Sequence, residues 1–177
     1  MGTRETLVDV ATRLLDAGGV EAVTLREVGH QAGVSHNAPY KHFANKEALL
    51  AAVAARELAG HMHETRSVRA LMHNYVAWAL KYPNRFKLVF GTWTIESPEL
   101  TVAATNAQER MVELVAEAQA TGELPAGDPI RLASLIRAVT HGAADLAAAG
   151  HLSAAGKGNA DPDDLVDDLL GYLRQRD

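Results

Sequence analysis

The 177-residue chain can fill one sizeable core, or join a small module to a larger one. Hydrophobic residues at 47% and charged residues at 22% exclude a disordered chain, and the lack of cysteine excludes disulfides and thiolate metal sites. The net charge of −5 does not advertise nucleic acid, but residues 24–46 carry Arg26, Lys41 and Lys46 against Glu27 alone, while Asp161, Asp163, Asp164, Asp167 and Asp168 crowd toward the other end. No apolar run approaches membrane-spanning length and the N-terminus lacks a signal-peptide layout, so a cytoplasmic protein with no membrane partner is expected.

Every persuasive segment has helical period and none alternates like a strand, which predicts an all-α fold of about nine helices. Leu7, Val10, Ala11, Leu14 and Leu15 make the first apolar stripe, ended by Gly18-Gly19. Thr24 opens a short helix with Glu27 at capping-box spacing, Leu25, Val28 and Ala32 face inward, and Gly33 stops it. Ser35 or Asn37 can cap a third helix to about Phe43. Asn45 can cap a fourth that buries Leu49, Leu50 and Val53 and runs on toward Arg66. A fifth starts near Ser67 and ends at Tyr82-Pro83, because the residue before proline avoids the α region. A short piece from Asn84 to Phe90 follows, then a loop to Ser97. Ser97-Pro98-Glu99, Asp128-Pro129 and Asp161-Pro162 each read as a helix start: cap, then proline in the first turn. The stretch 150–160 is small and polar, a flexible connection.

Residues 24–43 are two short helices joined by Gly33-Val34, the size and turn chemistry of a helix-turn-helix, although any tight helical corner has the same spacing. The residues say more. Thr24, Ala32-Gly33-Val34-Ser35, Tyr40-Lys41-His42-Phe43 and Lys46-Glu47-Ala48-Leu49 closely resemble the signature of the TetR repressor family over roughly the first 55 residues. The resemblance implies an N-terminal three-helix DNA-binding domain, residues 1–50, joined to a C-terminal helical bundle, residues 51–177, that senses a ligand and dimerises. It also implies a regulator with no catalytic activity and no cofactor, released from a palindromic operator by a small-molecule effector.

Thr24 can present its hydroxyl and the free amides of its helix to a phosphate, or simply cap. Arg26 can reach a phosphate or guanine, or stay solvated. Ser35, His36, Asn37 and Ala38 lead the third helix, the part that enters a major groove. Asn37 can pair with adenine, or serve as a cap, and Ala38 can touch a thymine methyl. Tyr40 and Lys46 fall at the family's phosphate-contact positions, and Lys41 can add a charge. His42 and Phe43 are expected to pack the corner. Pro39 departs from the commonest family pattern. It has no amide hydrogen, so it must lie in the first turn or disturb the helix, which favours a recognition helix starting near Asn37.

From Asn74 to Gly91 the chain is similar to the TetR C-terminal class with a Trp-His-Gly motif, present here as Thr140-His141-Gly142. Met72, Tyr75, Trp78, Phe86, Phe90, Trp93, Met111 and His141 can line a pocket for a mostly apolar ligand, or form an ordinary core. Leu135, Val139 and Leu146 with Leu165, Leu169, Leu170 and Leu173 are the expected dimer face, since the family pairs its last two long helices with their twofold mates. Alternatively, the leucine stripe covers its own domain.

Two other readings differ in class. Glu57, His61 and Glu64 share one helical face, with His63 and His73 nearby, so a metal-responsive regulator is conceivable. A solvated face of a linking helix explains the same pattern. No metal is assigned. An enzyme would need a motif such as Gly-x-Ser-x-Gly or a phosphate-cradling glycine loop, and neither occurs; His141 and Asp145 at i,i+4 read as a polar spot in a core.

Overall fold

The computed structural model describes residues 2–60 and 65–174. Among them are nine helices and no strand: α1 Thr3–Ala22, α2 Leu25–Gln31, α3 Ala38–His42, α4 Lys46–Gly60, α5 Val68–Lys81, α6 Pro83–Val89, α7 Pro98–Ala120, α8 Pro129–Ala148 and α9 Pro162–Arg174. The chain divides into two compact units, Met1–Gly60 with Tyr82–Thr105, and His61–Lys81 with Asn106–Asp177. No described helix is long and apolar enough to cross a membrane.

The first unit is built around α1. Leu7, Val10, Ala11 and Leu15 are fully or almost fully buried, together with Val23, Val28, Leu49 and Val53 from the elements that follow. Each such leucine or valine contributes roughly 1.5–3 kcal/mol of burial. The regular helix breaks where the diglycine was expected to break it: Gly18 is non-helical and Gly19 takes φ +70°, a conformation that penalises side chains. α2, α4 and α6 all pack on α1, and α4 also packs on α6. Arg56 of α4 pairs with Asp9 and donates to Thr12 Oγ1 at 2.6 Å, tying α4 to the middle of α1. Thr65 and Arg66 are not helical, so α4 does not reach Arg66 as its pattern suggested.

In the second unit α5, α8 and α9 pack pairwise. α8 buries Ala133, Ile136, Thr140, Ala143 and Ala144 along one side. From the unit's share of α7 come Met111, Leu114, Val115 and Ala118. The expected helix starts are realised in their hydrogen bonds. Asp128 accepts from the Ile130 and Arg131 amides, and Asp161 and Asp164 accept from each other's amides at 3.0 and 3.2 Å. Asn45 accepts from the Ala48 amide at 2.8 Å, and Ser97 from Leu100 at 3.3 Å.

Candidate nucleic-acid interface

α2 starts at Thr24, whose extended backbone lets its Oγ1 accept the Glu27 amide hydrogen at 3.1 Å. The box closes on one side only, because the Glu27 carboxylate accepts from Gln31 instead, at 2.8 Å. Gly33, at φ +66°, turns the chain after α2, and Val34 donates back to the Gly29 carbonyl at 3.1 Å. The two short helices then meet at a glycine–proline contact. A Cβ on Gly29 would stand 2.8 Å from Pro39 Cγ, so the approach of α3 to α2 depends on the missing side chain. Pro39 is buried in the first turn of α3, where its absent amide hydrogen costs no helical bond.

This corner leaves one row of side chains outside. Ser35, His36 and Asn37 are exposed and Ala38 is half-buried. Asn37 occupies the N-cap position of α3 with αR backbone angles, and its side chain makes no capping hydrogen bond. Tyr40 is 51% exposed, its ring 6.0 Å from that of His36. Thr24, Arg26 and Lys41 are exposed and Lys46, at the start of α4, is half-buried. Lys46 Nζ lies 3.9 Å from Glu21, a carboxylate almost wholly in solvent and therefore a weak competitor for the charge. All nine sequence-nominated DNA residues thus lie in the first unit.

Phe43 packs the corner as expected, 3% exposed, but His42 does not: it is exposed on the same short helix. With five residues, α3 has too few turns to bury both. Arg4 of α1 lies over the Phe43 ring at 5.2 Å and pairs with Glu99, a contact that sequence reading missed.

Glu57 is also misjudged by the sequence pattern. It is not on a solvated face: at 6% exposure it is buried, and its carboxylate accepts from Arg85 Nη1 at 3.2 and 3.3 Å. His61, His63 and Glu64, its supposed partners, lie outside the described residues. Among the described residues no group of three or more His, Asp and Glu side chains could hold a metal ion.

The nominated pocket residues divide between the units. In the first, Phe86 is buried, Phe90 is 42% exposed with its ring 5.3 Å from Phe86, and half-buried Trp93 has its indole nitrogen buried without a hydrogen-bond partner among the described residues. In the second, Met72, Trp78 and Met111 are buried, and the Tyr75 hydroxyl lies 2.7 Å from His141 Nδ1. Burial raises the Tyr75 pKa, which keeps the phenol protonated.

Of the nominated dimer residues, Leu135 and Leu146 are about half exposed, at 47% and 48%, while Val139, Leu165, Leu169 and Leu173 are intermediate. Leu170 is buried within its own unit. Tyr172, 67% exposed three residues after Leu169, lies on the same side of α9.

An all-α chain with a helix-turn-helix that keeps its polar leading edge outside is a DNA-binding regulator in architecture. The model of the bacterial regulatory proteins of the tetR family matches residues 7–53, and that of the tetracyclin repressor-like C-terminal domain matches residues 68–173. The chain belongs to the TetR family of transcriptional regulators, a family of regulators rather than enzymes. The class D tetracycline repressor protein of Escherichia coli is 38% identical over 58 residues, 33% of this chain and 27% of that protein, so the match spans about a quarter of the curated relative. A structure from Rhodococcus sp. RHA1, of unknown function, aligns with TM-score 0.81 and 30% identity over 99% of this chain and 95% of that one. A TetR-family transcriptional regulator of Pectobacterium atrosepticum aligns with TM-score 0.67 and 26% identity over 97% and 92%.

Proposed function

We propose that the chain is a homodimeric transcriptional repressor whose two heads, residues 1–50, grip a palindromic operator. The bodies, residues 51–177, pair and take up a small, mostly apolar effector that releases the DNA. The observation that carries this reading is the exposed row Ser35, His36 and Asn37, flanked by Tyr40, Lys41 and Lys46, with the Asn37 amide uncommitted to capping. In that arrangement Asn37 and Ala38 read bases, while Thr24, Arg26, Tyr40, Lys41 and Lys46 hold phosphates. The small net charge of each head makes two copies necessary, which a twofold dimer on a palindrome supplies.

The effector would sit among Met72, Tyr75, Trp78 and Met111 of the second unit, with the Tyr75–His141 pair as its polar element. On this reading the body is of the Trp-His-Gly subclass, with Thr140 in the tryptophan position. Thr140 is fully buried and returns its hydroxyl to the Ile136 carbonyl at 2.9 Å, so it fills space without an indole. Release follows from linkage: an effector that binds better to the state with misplaced heads must weaken operator binding by that same preference.

Selection of duplexes from a randomised pool by the full chain tests the DNA half. The expected product is a palindrome with half-sites roughly 34 Å apart, one turn of DNA. Binding to it should fall steeply between about 50 and 200 mM salt. No enrichment at low salt would refute the reading.

A further inference from the structure

Among the described residues, a charged cluster that the DNA-reading surface does not use gathers around Arg85. Arg85, near the start of α6, donates from Nε and Nη2 to the two carboxylate oxygens of Asp16 at 2.8 and 2.5 Å. Its Nη1 donates to both oxygens of buried Glu57 on α4. The guanidinium lies 4.0 Å over the Tyr82 ring, so one face is covered as well. Beside it, Asn84 Nδ2 donates to the carbonyls of Leu15 at 3.0 Å and Asp16 at 3.3 Å, the last turn of α1 before the diglycine break. Tyr82, Asn84 and Arg85 thus fasten the start of α6 to the end of α1 and the far half of α4.

We propose that Arg85 is a positioning residue for operator recognition: by holding Glu57 and Asp16 in one geometry it fixes the tilt of α4 on α1. The inference rests on the DNA-binding reading above. The reason is leverage. Lys46, the nominated phosphate contact, and Glu57 sit at opposite ends of α4. Eleven residues at 1.5 Å rise place them ~16 Å apart, so a tilt of ~10° about the Glu57 end moves Lys46 by ~3 Å. That exceeds the tolerance of a hydrogen bond to phosphate. The planar fork of arginine serves two carboxylates at once, which the ammonium of lysine cannot do with fixed angles. Arg56 ties α4 to mid-α1 independently, so the helices remain packed without Arg85 but lose the constraint on tilt.

The test uses the full chain and two probes: the duplex that the wild type selects from a random pool, and a mixed-sequence duplex of equal length. In Arg85→Met/Glu57→Met both buried charges go together, leaving no lone buried ion. Asp16→Asn keeps the buried pair and weakens only the outer anchor. We expect at least tenfold weaker binding of the selected duplex by the double variant, and about threefold by Asp16→Asn. Binding of the mixed duplex should fall by a similar factor, because Lys46 contacts phosphate, with the slope of affinity on salt reduced by about one and the melting temperature close to wild type. Arg85→Lys/Glu57→Met, which restores one charge without the fork, should not rescue. A folded double variant that binds the selected duplex as the wild type does overturns the proposal. If the double variant melts early, wild-type affinity in folded Asp16→Asn overturns it instead. A wild type that selects no duplex defeats the DNA-binding reading itself and leaves the lock no operator to act on, a result distinct from failure of the lock alone.

Discussion

Asn37 shows how a single side chain separates two roles that composition leaves tied. As a capping group its side-chain oxygen would accept a backbone amide hydrogen; Asn37 holds the N-cap position of α3 but makes no such bond and stands exposed. Replacement by alanine should therefore reorder the preference among duplexes, with a loss of about 1–3 kcal/mol confined to sites carrying the recognised base. Tyr40→Ala and Lys46→Ala should weaken every sequence by a similar factor, because phosphates carry no sequence information. Electrophoretic shifts on matched duplexes distinguish the two patterns, and a uniform loss for Asn37→Ala would remove it from base readout. The glycines make a second contrast. Gly29→Ala drives a methyl into Pro39, a rigid ring, and should cost about 1–3 kcal/mol. Gly33 has open space but a left-handed backbone, so Gly33→Asn should be mild while Gly29→Asn is worse, as thermal melts would show. Residues whose role is local, such as Thr24, Gly33 and Pro39, were legible in the sequence. Glu57 was not, because its partner Arg85 is 28 residues away and periodicity carries no information about pairing.

At the scale of elements, helix starts were the most legible feature. Asn45, Ser97, Asp128 and Asp161 all accept backbone amides where their spacing placed them. A cap needs only neighbours within three residues, so the sequence holds the whole interaction. What joins one helix to another was harder to read. The acidic run opening α9 looked like a feature of overall charge, yet it is the fastening of that helix to α5. Arg69 pairs with Asp167, and the His73 ring lies 2.8 Å from both Asp163 and Asp167. The hydrogen bond from His73, with Arg69 beside it, holds the Asp167 carboxyl below its ordinary value of 3.8. A carboxyl depressed in the folded state stabilises it above that ordinary value, and the contribution fades as pH falls through the folded one. Asp167→Asn should melt about 1–3 °C below wild type at pH 7, the range for a partly exposed pair. The gap should narrow from pH 5 to pH 2. A gap that persists at pH 2 would mean that the carboxylate charge is not what seats α9.

The whole molecule turns on what covers α8 and α9. Their inner sides are satisfied within the unit: Ile136, Thr140 and Ala144 of α8 and Val166 and Leu170 of α9 are buried. Their outer sides are not. Leu135, Val139 and Leu146 recur at helical spacing along α8, with Ala138 and Gly142 between them, and Tyr172 stands out from α9. Scattered exposed leucines need no explanation, but a stripe on neighbouring helices, with small residues that permit close approach, suits a second copy. Sequence periodicity found both stripes and could not assign their sides, because Leu170 and Leu135 differ only in what lies opposite. If this is the dimer face, Leu135→Glu/Leu146→Glu should yield a folded monomer by sedimentation, with unchanged helical circular dichroism, since both side chains are about half exposed. Operator binding should then fall at least a hundredfold at equal protein concentration, because one head must hold its half-site without the effective concentration that its twin provides. Retained dimerisation in that variant would place the interface elsewhere. A monomer that still binds the full palindrome at wild-type affinity would break the link between twofold symmetry and operator recognition.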